Sequence, residues 1–254
     1  MDLSIVVPCY NESLNLATLA NAFQQVVAHQ PGIEVLLVNN GSTDDSAVQL
    51  QVLCERHPFL RQVTVTKDQG YGFGILSGLA MARGEFLAWT HADLQTDPKD
   101  VFLGWQKLMA SSDPRHSIVR GVRSGRPFIN VAFTNAMGAF ASLALGSRLS
   151  DINAQPKVFH RNFLEKLGAA PHDFSLDLYV LYLANKLGCP SIEIPVHFGK
   201  RNAGVAKGGG SLRGKWKLCK RTLGYILQLR RELNKSRTVA QPFQPSQFQI
   251  QGPV

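Results

Sequence analysis

Residues 90–98 read Thr-His-Ala-Asp-Leu-Gln-Thr-Asp-Pro and follow the apolar run Phe86-Leu87-Ala88-Trp89. The imidazole of His91, the carboxylate of Asp93 and the amide of Gln95 are donor types that can surround a divalent cation. If the chain stays extended past Trp89, these side chains at i, i+2 and i+4 point to one side, because a strand alternates with period two. A cation held there could bridge the protein to a diphosphate. The same stretch also reads as a polar turn after a strand, so the elements around it must decide.

Those elements alternate. Strands are predicted at Leu3–Pro8, Ile33–Val38, Gln62–Thr66, Phe86–Thr90, Ser117–Val122 and Ser191–Val196. Helical patterns fall at Ser13–Val27, Asp45–Glu55, Gly74–Ala82, Pro98–Met109 and Phe174–Leu187, with Asp45 and Pro98 as starters and Gly188 as a stop. Alternation of this kind predicts an α/β fold with a parallel-rich sheet. In such sheets ligands bind beyond the carboxyl ends of the strands, where His91 to Gln95 would sit. A dinucleotide-binding dehydrogenase fails the pattern. Its glycines should follow the first strand, where Pro8-Cys9-Tyr10-Asn11-Glu12 stands instead. The glycine cluster Gly70-Tyr71-Gly72-Phe73-Gly74 comes after the third strand and places Ile75 where Gly or Ala is required. No Walker A sequence occurs.

Charge is concentrated. Between Lys200 and Arg237 lie 12 of the 27 Lys and Arg residues, with Glu232 the only acid there, so the rest of the chain is close to neutral. After Ser211 the residues Leu212, Trp216, Cys219, Leu223, Ile226 and Leu233 fall mostly three or four apart, while Arg213, Lys217, Lys220 and Arg221 lie off that stripe. This is a basic amphipathic helix, suited to anionic lipid or to docking with its charged face in water. Few aromatics and no nucleic-acid motif accompany it, which argues against nucleic acid. Pro127 to Ser147 carries no charge over 21 residues. Its polar Asn130, Thr134, Asn135 and Ser142 favour a buried or membrane-surface helix over a spanning one. The four cysteines show no paired spacing, and Met1-Asp2-Leu3 leads straight into a strand. Both features predict a reduced, cytoplasmic chain without a signal peptide. Three regions result: a catalytic domain over 1–207, a basic helical appendage over 208–237 and a disordered tail over 238–254.

Three motifs in order carry a resemblance: Val6-Val7-Pro8-Cys9-Tyr10-Asn11-Glu12, Val38-Asn39-Asn40-Gly41-Ser42-Thr43-Asp44 and His91-Ala92-Asp93-Leu94-Gln95. Together they resemble the family 2 inverting glycosyltransferases. The pattern is most like the branch that loads sugars onto polyprenyl phosphates, which includes the dolichyl-phosphate mannosyltransferases. The resemblance covers roughly residues 3–207 and implies an A-type glycosyltransferase fold acting on a nucleotide sugar.

The resemblance also implies roles. Pro8, Tyr10, Glu12, Asn39, Asn40 and Gly70 would line the nucleotide pocket, with Asn39 and Asn40 as amides where acids are usual. Asp93 and Gln95 would hold a divalent metal, Mn²⁺ or Mg²⁺. His91 stands where the family has its first acid, and an imidazole suits Mn²⁺ better than Mg²⁺. Arg123, Arg126 and Asn130 match positions that hold a lipid phosphate. Arg201 and Lys207 match a pair that closes over donor and acceptor phosphates. Asp151, followed by Gln155 and Lys157, falls in an acidic active-site segment and is the candidate for catalytic assistance. A sugar-hydroxyl acceptor would need a carboxylate base, Asp151, Asp173 or Asp177. A lipid phosphate would not, since a phosphate monoester has a second pKa near about 6. The expected activity is hexose transfer to a polyprenyl phosphate by a peripheral enzyme on the cytoplasmic face of the membrane. A polysaccharide transferase, a nucleotidyltransferase and a non-catalytic nucleotide-sugar-binding module are the alternatives.

Overall fold

The computed structural model describes residues 1–28, 30–204, 212–235 and 242–248, with side chains of the last helix described from 220 to 231. Seven strands form one sheet in the order β3-β2-β1-β4-β6-β5-β7: β1 Leu3–Cys9, β2 Ile33–Asn40, β3 Leu60–Val65, β4 Phe86–Trp89, β5 Ile118–Ser124, β6 Lys157–His160 and β7 Ser191–His197. Only β6 runs antiparallel, against β4 and β5. All six other strands therefore release their carboxyl ends along one edge.

Helices α1 Ser13–Val27, α2 Ser46–Arg56 and α4 Lys99–Met109 cover one face; α3 Tyr71–Met81 and α7 Leu176–Lys186 cover the other. β1 shows how the sequence builds both layers. Leu3, Ile5, Val7 and Cys9 enter the first core and Val6 enters the second, the period-two alternation of a strand covered on both faces. The glycine cluster serves packing. A Cβ on Gly78 would lie 2.4 Å from Val6 Cγ1, and one on Gly72 would lie 2.5 Å from the Pro171 carbonyl. Glycine lets α3 lie directly on the sheet.

The predicted and observed elements agree to within three residues at every shared boundary, and α1 coincides with its prediction. Three elements escape the sequence reading: β6, the short α6, Arg161–Leu164, and a 3-10 turn at Pro245–Gln247. Lys157 opens β6 and is fully buried, so the four-residue strand does not look apolar. Pro127–Ser147 contains helix α5, Phe128–Leu145, which buries only Gly138 and Ala141. The buried-helix alternative is thereby excluded. Helix α8, Leu212–Lys235, lies beside α5 and buries Ile226 and Leu229. The expected disorder from 238 needs correction for 242–248. Phe243 N donates to Glu165 O, and the buried Phe248 ring lies 5.2 Å from Phe73 and 5.5 Å from Phe243. Apolar contact holds this segment despite its polar composition.

Candidate active site

The ends of β1, β2, β4, β5 and β7 bring together nearly every residue singled out in the sequence. Pro8 pairs in register with Val38 inside β1, and Tyr10 and Glu12 follow just past its end. At the end of β2, Asn39 Oδ1 accepts from Ser42 N at 3.0 Å and so shapes the turn at Gly41. Asn40 Nδ2 donates to Gly70 O at 3.0 Å and Asp68 Oδ1 at 3.3 Å, while its Oδ1 is a buried acceptor without a partner. Gly70 has φ +109°, and a Cβ there would lie 2.5 Å from the His172 carbonyl. Only glycine fits that bend. Asp68, absent from the sequence-derived set, supplies this pocket with the carboxylate that Asn39 and Asn40 lack. Its signal was an acid two positions before a turn glycine.

After β4 the chain bends instead of staying extended, and Leu94 adopts φ +57°. The expectation of three side chains pointing to one side of an extended strand is therefore corrected. His91 Nε2 lies 3.2 Å from the Tyr71 hydroxyl. Asp93 Oδ1 accepts from Gln95 N at 3.2 Å, and Oδ2 faces Arg201 Nη1 at 3.3 Å. Gln95 Nε2 donates to Gly199 O at 3.1 Å. Burial, helped by the charges of Arg123 and Lys157, pulls the His91 pKa below its usual value; Asp93 and Asp177 oppose the shift. The neutral ring keeps one nitrogen with a lone pair.

No group of three His, Cys, Asp or Glu side chains is preassembled for a metal among the described residues. The donor chemistry still fits a divalent cation. Asp93 is 8% exposed with a cation as its side-chain partner, His91 is neutral, and the Gln95 carbonyl oxygen is left over by its N–H bond to Gly199. Arg201 stands where positive charge is demanded. Its Nη2 also binds Glu12, so one guanidinium bridges the carboxylates at the ends of β1 and β4. Lys207 lies outside the described residues.

A second cationic group stands at the end of β5. Asp151 Oδ2 accepts from Arg123 N at 2.6 Å, and Oδ1 takes Arg123 Nη2 at 2.5 Å, Arg123 Nε at 2.9 Å and Arg126 Nη2 at 3.3 Å. Although burial opposes it, these partners hold the Asp151 carboxyl below its usual range. Asp151 therefore anchors two guanidiniums. Arg126 Nη1 donates to Thr134 Oγ1 at 3.1 Å, and Arg126 Nε is a buried donor with no acceptor among the described residues. Arg123 also lies 5.3 Å over the Phe198 ring, which ties β5 to the segment that leads to Arg201. Asn130 follows in the first turn of α5. The other two candidate bases are engaged as well: Asp173 Oδ2 pairs with Arg221 Nε at 3.1 Å, and Asp177 Oδ1 with Lys157 Nζ at 3.5 Å.

Comparison with known proteins fits this geometry. Residues 4–126 match the model of the family described as Glycosyl transferase family 2. Undecaprenyl-phosphate 4-deoxy-4-formamido-L-arabinose transferase from Enterobacter sp. (strain 638) is 27% identical over 212 residues, 81% of this chain. The same-named protein of Sodalis glossinidius (strain morsitans) is 28% identical over 213 residues. This chain spans 62% of the length of either relative. Glucosyl-3-phosphoglycerate synthase from Mycobacterium tuberculosis, solved with Mn²⁺, UDP and glucosyl-3-phosphoglycerate, superposes with a TM-score of 0.66 at 17% identity. That superposition covers 90% of this chain and 79% of the synthase. Mannosyltransferase PcManGT from Pyrobaculum calidifontis, solved with GDP-Man and Mn²⁺, gives 0.61 at 22% identity, over 86% and 60%. The fold is that of A-type glycosyltransferases.

Proposed function

We propose that this chain, whose residues 4–126 match the glycosyl transferase family 2 model, moves a sugar with inversion from a nucleotide sugar to a polyprenyl phosphate. One observation carries the reading. The three carboxylates named above as possible bases for a hydroxyl acceptor are each held by a cation: Asp151 by Arg123 and Arg126, Asp173 by Arg221, Asp177 by Lys157. A hydroxyl acceptor needs a free base; an ionised phosphate needs cations, and two guanidiniums stand ready for it.

The steps follow from charge. Glu12, Asn40 and Asp68 face the nucleoside, and Asp93 lies beside its diphosphate. Asp93, His91 and Gln95 would hold a divalent metal, which when bound would offset charge on a departing diphosphate. Arg201, released from Glu12 and Asp93, turns its guanidinium to the same oxygens. Arg123 and Arg126, both paired with Asp151, hold the acceptor phosphate. One of its oxygens bonds to the anomeric carbon from the face opposite the diphosphate, and the broken C–O bond leaves its electron pair on the nucleoside diphosphate. No proton moves.

The acceptor is a lipid, and the outer surface suits one. α5 begins directly after Arg126 and exposes Phe128, Ile129, Phe133, Phe140 and Leu143; Phe128 is 86% and Leu143 85% exposed. Its apolar length reaches the span of a bilayer core, with 11% of that window buried in the protein. α8 beside it exposes Leu227 along with Lys220, Arg230 and Arg231. These two helices form the face that rests on the cytoplasmic leaflet, with the guanidiniums at the level of the phosphate headgroups. The test is incubation with a panel of nucleotide sugars, Mn²⁺ or Mg²⁺ and polyprenyl phosphate in vesicles. Release of nucleoside diphosphate together with a sugar-linked lipid is expected. Release of pyrophosphate, or transfer to hydroxyl acceptors alone, would overturn the reading.

A further inference from the structure

Asn15 lies in the first turn of α1 with 1% of its surface exposed, beside the buried Leu16 and Leu19. Asparagine is a poor helix former and loses its hydration when buried, so neither the helix nor the core calls for it there. Its contacts do. Nδ2 donates to Glu12 Oε2 at 2.6 Å and to Ala203 O at 3.2 Å, while Oδ1 accepts from Asn202 Nδ2 at 3.2 Å. Turning the amide over would set its oxygen against the Glu12 carboxylate, so the orientation is fixed. One buried side chain thus ties the end of β1 to a segment 188 residues further on.

The same segment is laced to the loop after β4. Gly199 N donates to Gln95 O at 2.8 Å, Gln95 Nε2 to Gly199 O at 3.1 Å and Asn202 N to Asp93 O at 3.3 Å. Arg201 stands between these ties, and its Nε donates to Ala203 O at 2.8 Å, which aims the guanidinium. Nη2 then meets Glu12 and Nη1 meets Asp93. The two carboxylates sit at the ends of neighbouring strands, each with 11% of its side chain exposed. Like charges so placed and so little hydrated demand a cation.

We infer that Asn15 is a positioning residue for Arg201. It holds the segment so that the guanidinium occupies the cation position between Glu12 and Asp93, and a divalent cation must displace it from Asp93 to enter. A tethered charge is present at high effective concentration, and a fixed backbone spares the ordering cost of reaching the acids. A second positive charge at Asp93 Oδ2 would repel the first. Once displaced, Arg201 keeps its backbone beside the site and can meet the diphosphate that arrives with the cation. That last role rests on the transferase reading; the hold on Arg201 does not.

Two measurements on the nucleotide-free chain test this. Trypsin must draw an arginine side chain into its own pocket, so cleavage after Arg201, located by mass spectrometry, reports release of the guanidinium. Asn15→Leu, close in volume, should be cut there about 10-fold faster than wild type. Asn202→Ala removes one bond from the exposed side and leaves α1 untouched, so it should move the rate the same way by a smaller factor. A wild-type rate in either variant would overturn the inference, and Asn202→Ala decides alone if Asn15→Leu does not fold. The second measurement counts free Mn²⁺ by electron paramagnetic resonance. Arg201→Gln removes the competing charge and should tighten Mn²⁺ binding at least about 5-fold. Asn15→Leu should tighten it too, whereas loss of a residue that merely held the fold would weaken it. The double variant should bind no tighter than Arg201→Gln alone, because Asn15 acts through Arg201. Additive effects, or binding no tighter in Arg201→Gln, would overturn the competition, as would absence of Mn²⁺ binding by every form. Failure to turn over any nucleotide sugar, with both results as expected, would count against the transferase reading alone.

Discussion

Asp93 and Asp151 are both acids beside arginines, yet the surroundings give them opposite tasks. Asp93 has a side-chain oxygen that, among the described residues, is paired with Arg201. Asp93→Ala should leave circular dichroism unchanged and lower transfer by about 100- to 1,000-fold, the usual cost of deleting one electrostatic contact to a charged transition state. Wild-type turnover by the folded variant would remove Asp93 from the site. Asp151 is held by Arg123 and Arg126, and its pKa lies below the usual 3.8. A carboxyl whose folded pKa is depressed stabilises the fold above its unfolded pKa and loses that contribution as pH falls through the folded value. Asp151→Asn should therefore lower the thermal midpoint at pH 7, and the gap from wild type should shrink as pH drops below about 4. An equal gap at pH 7 and pH 3 would contradict the ion-pair account. At this scale the sequence was most legible where side-chain type alone implies chemistry, as for His91, Asp93, Arg123 and Arg126. It was silent on partners. Asp151 looked like a base until its guanidiniums were in view, and Tyr71 looked like one more apolar helix residue.

At the scale of elements, the central strands β1, β2 and β4 were readable because burial on both faces leaves continuous runs such as Ile33–Val38, and β7 because its buried residues alternate with exposed ones. β6 was hidden because a strand that turns a lysine inward breaks that pattern. The bend after β4 was hidden because nothing in Ala92-Asp93-Leu94 announces a positive φ at leucine. α5 was legible as a helix that is either buried or laid on a membrane surface, and with 11% of its window buried the structure removes the first alternative. Its exposed side chains yield a prediction. Phe128→Ser with Leu143→Ser should reduce co-sedimentation with vesicles by about 10-fold or more, since one large apolar side chain contributes about 1.5–3 kcal/mol when removed from water. Nucleotide binding, which belongs to the strand ends, should not change. Vesicle binding equal to wild type would place the membrane face elsewhere.

Over the whole molecule, charge and fold are divided along the chain: the sheet is close to neutral and the excess of +9 resides largely between Lys200 and Arg237. Association with anionic vesicles should weaken as salt rises, and Lys220→Glu, Arg230→Glu and Arg231→Glu together should flatten that dependence. Each basic residue near such a surface contributes about 1 kcal/mol. A salt dependence unaltered by the triple variant would assign the attraction to other cations. The docking of 242–248 affects how the molecule is made. Phe248 closes against Phe73, two residues from Tyr71, so the sector behind His91 borrows its last wall from almost the far end of the chain. Contacts so distant in sequence form late, because a long loop must close before they are rewarded. During synthesis the strands can pair while translation continues, yet the packing around Phe73 waits for Phe243 and Phe248 to leave the ribosome. A chain arrested at residue 241 should present a formed sheet with a loosened Tyr71 sector, measurable as faster amide exchange in α3 than in β1.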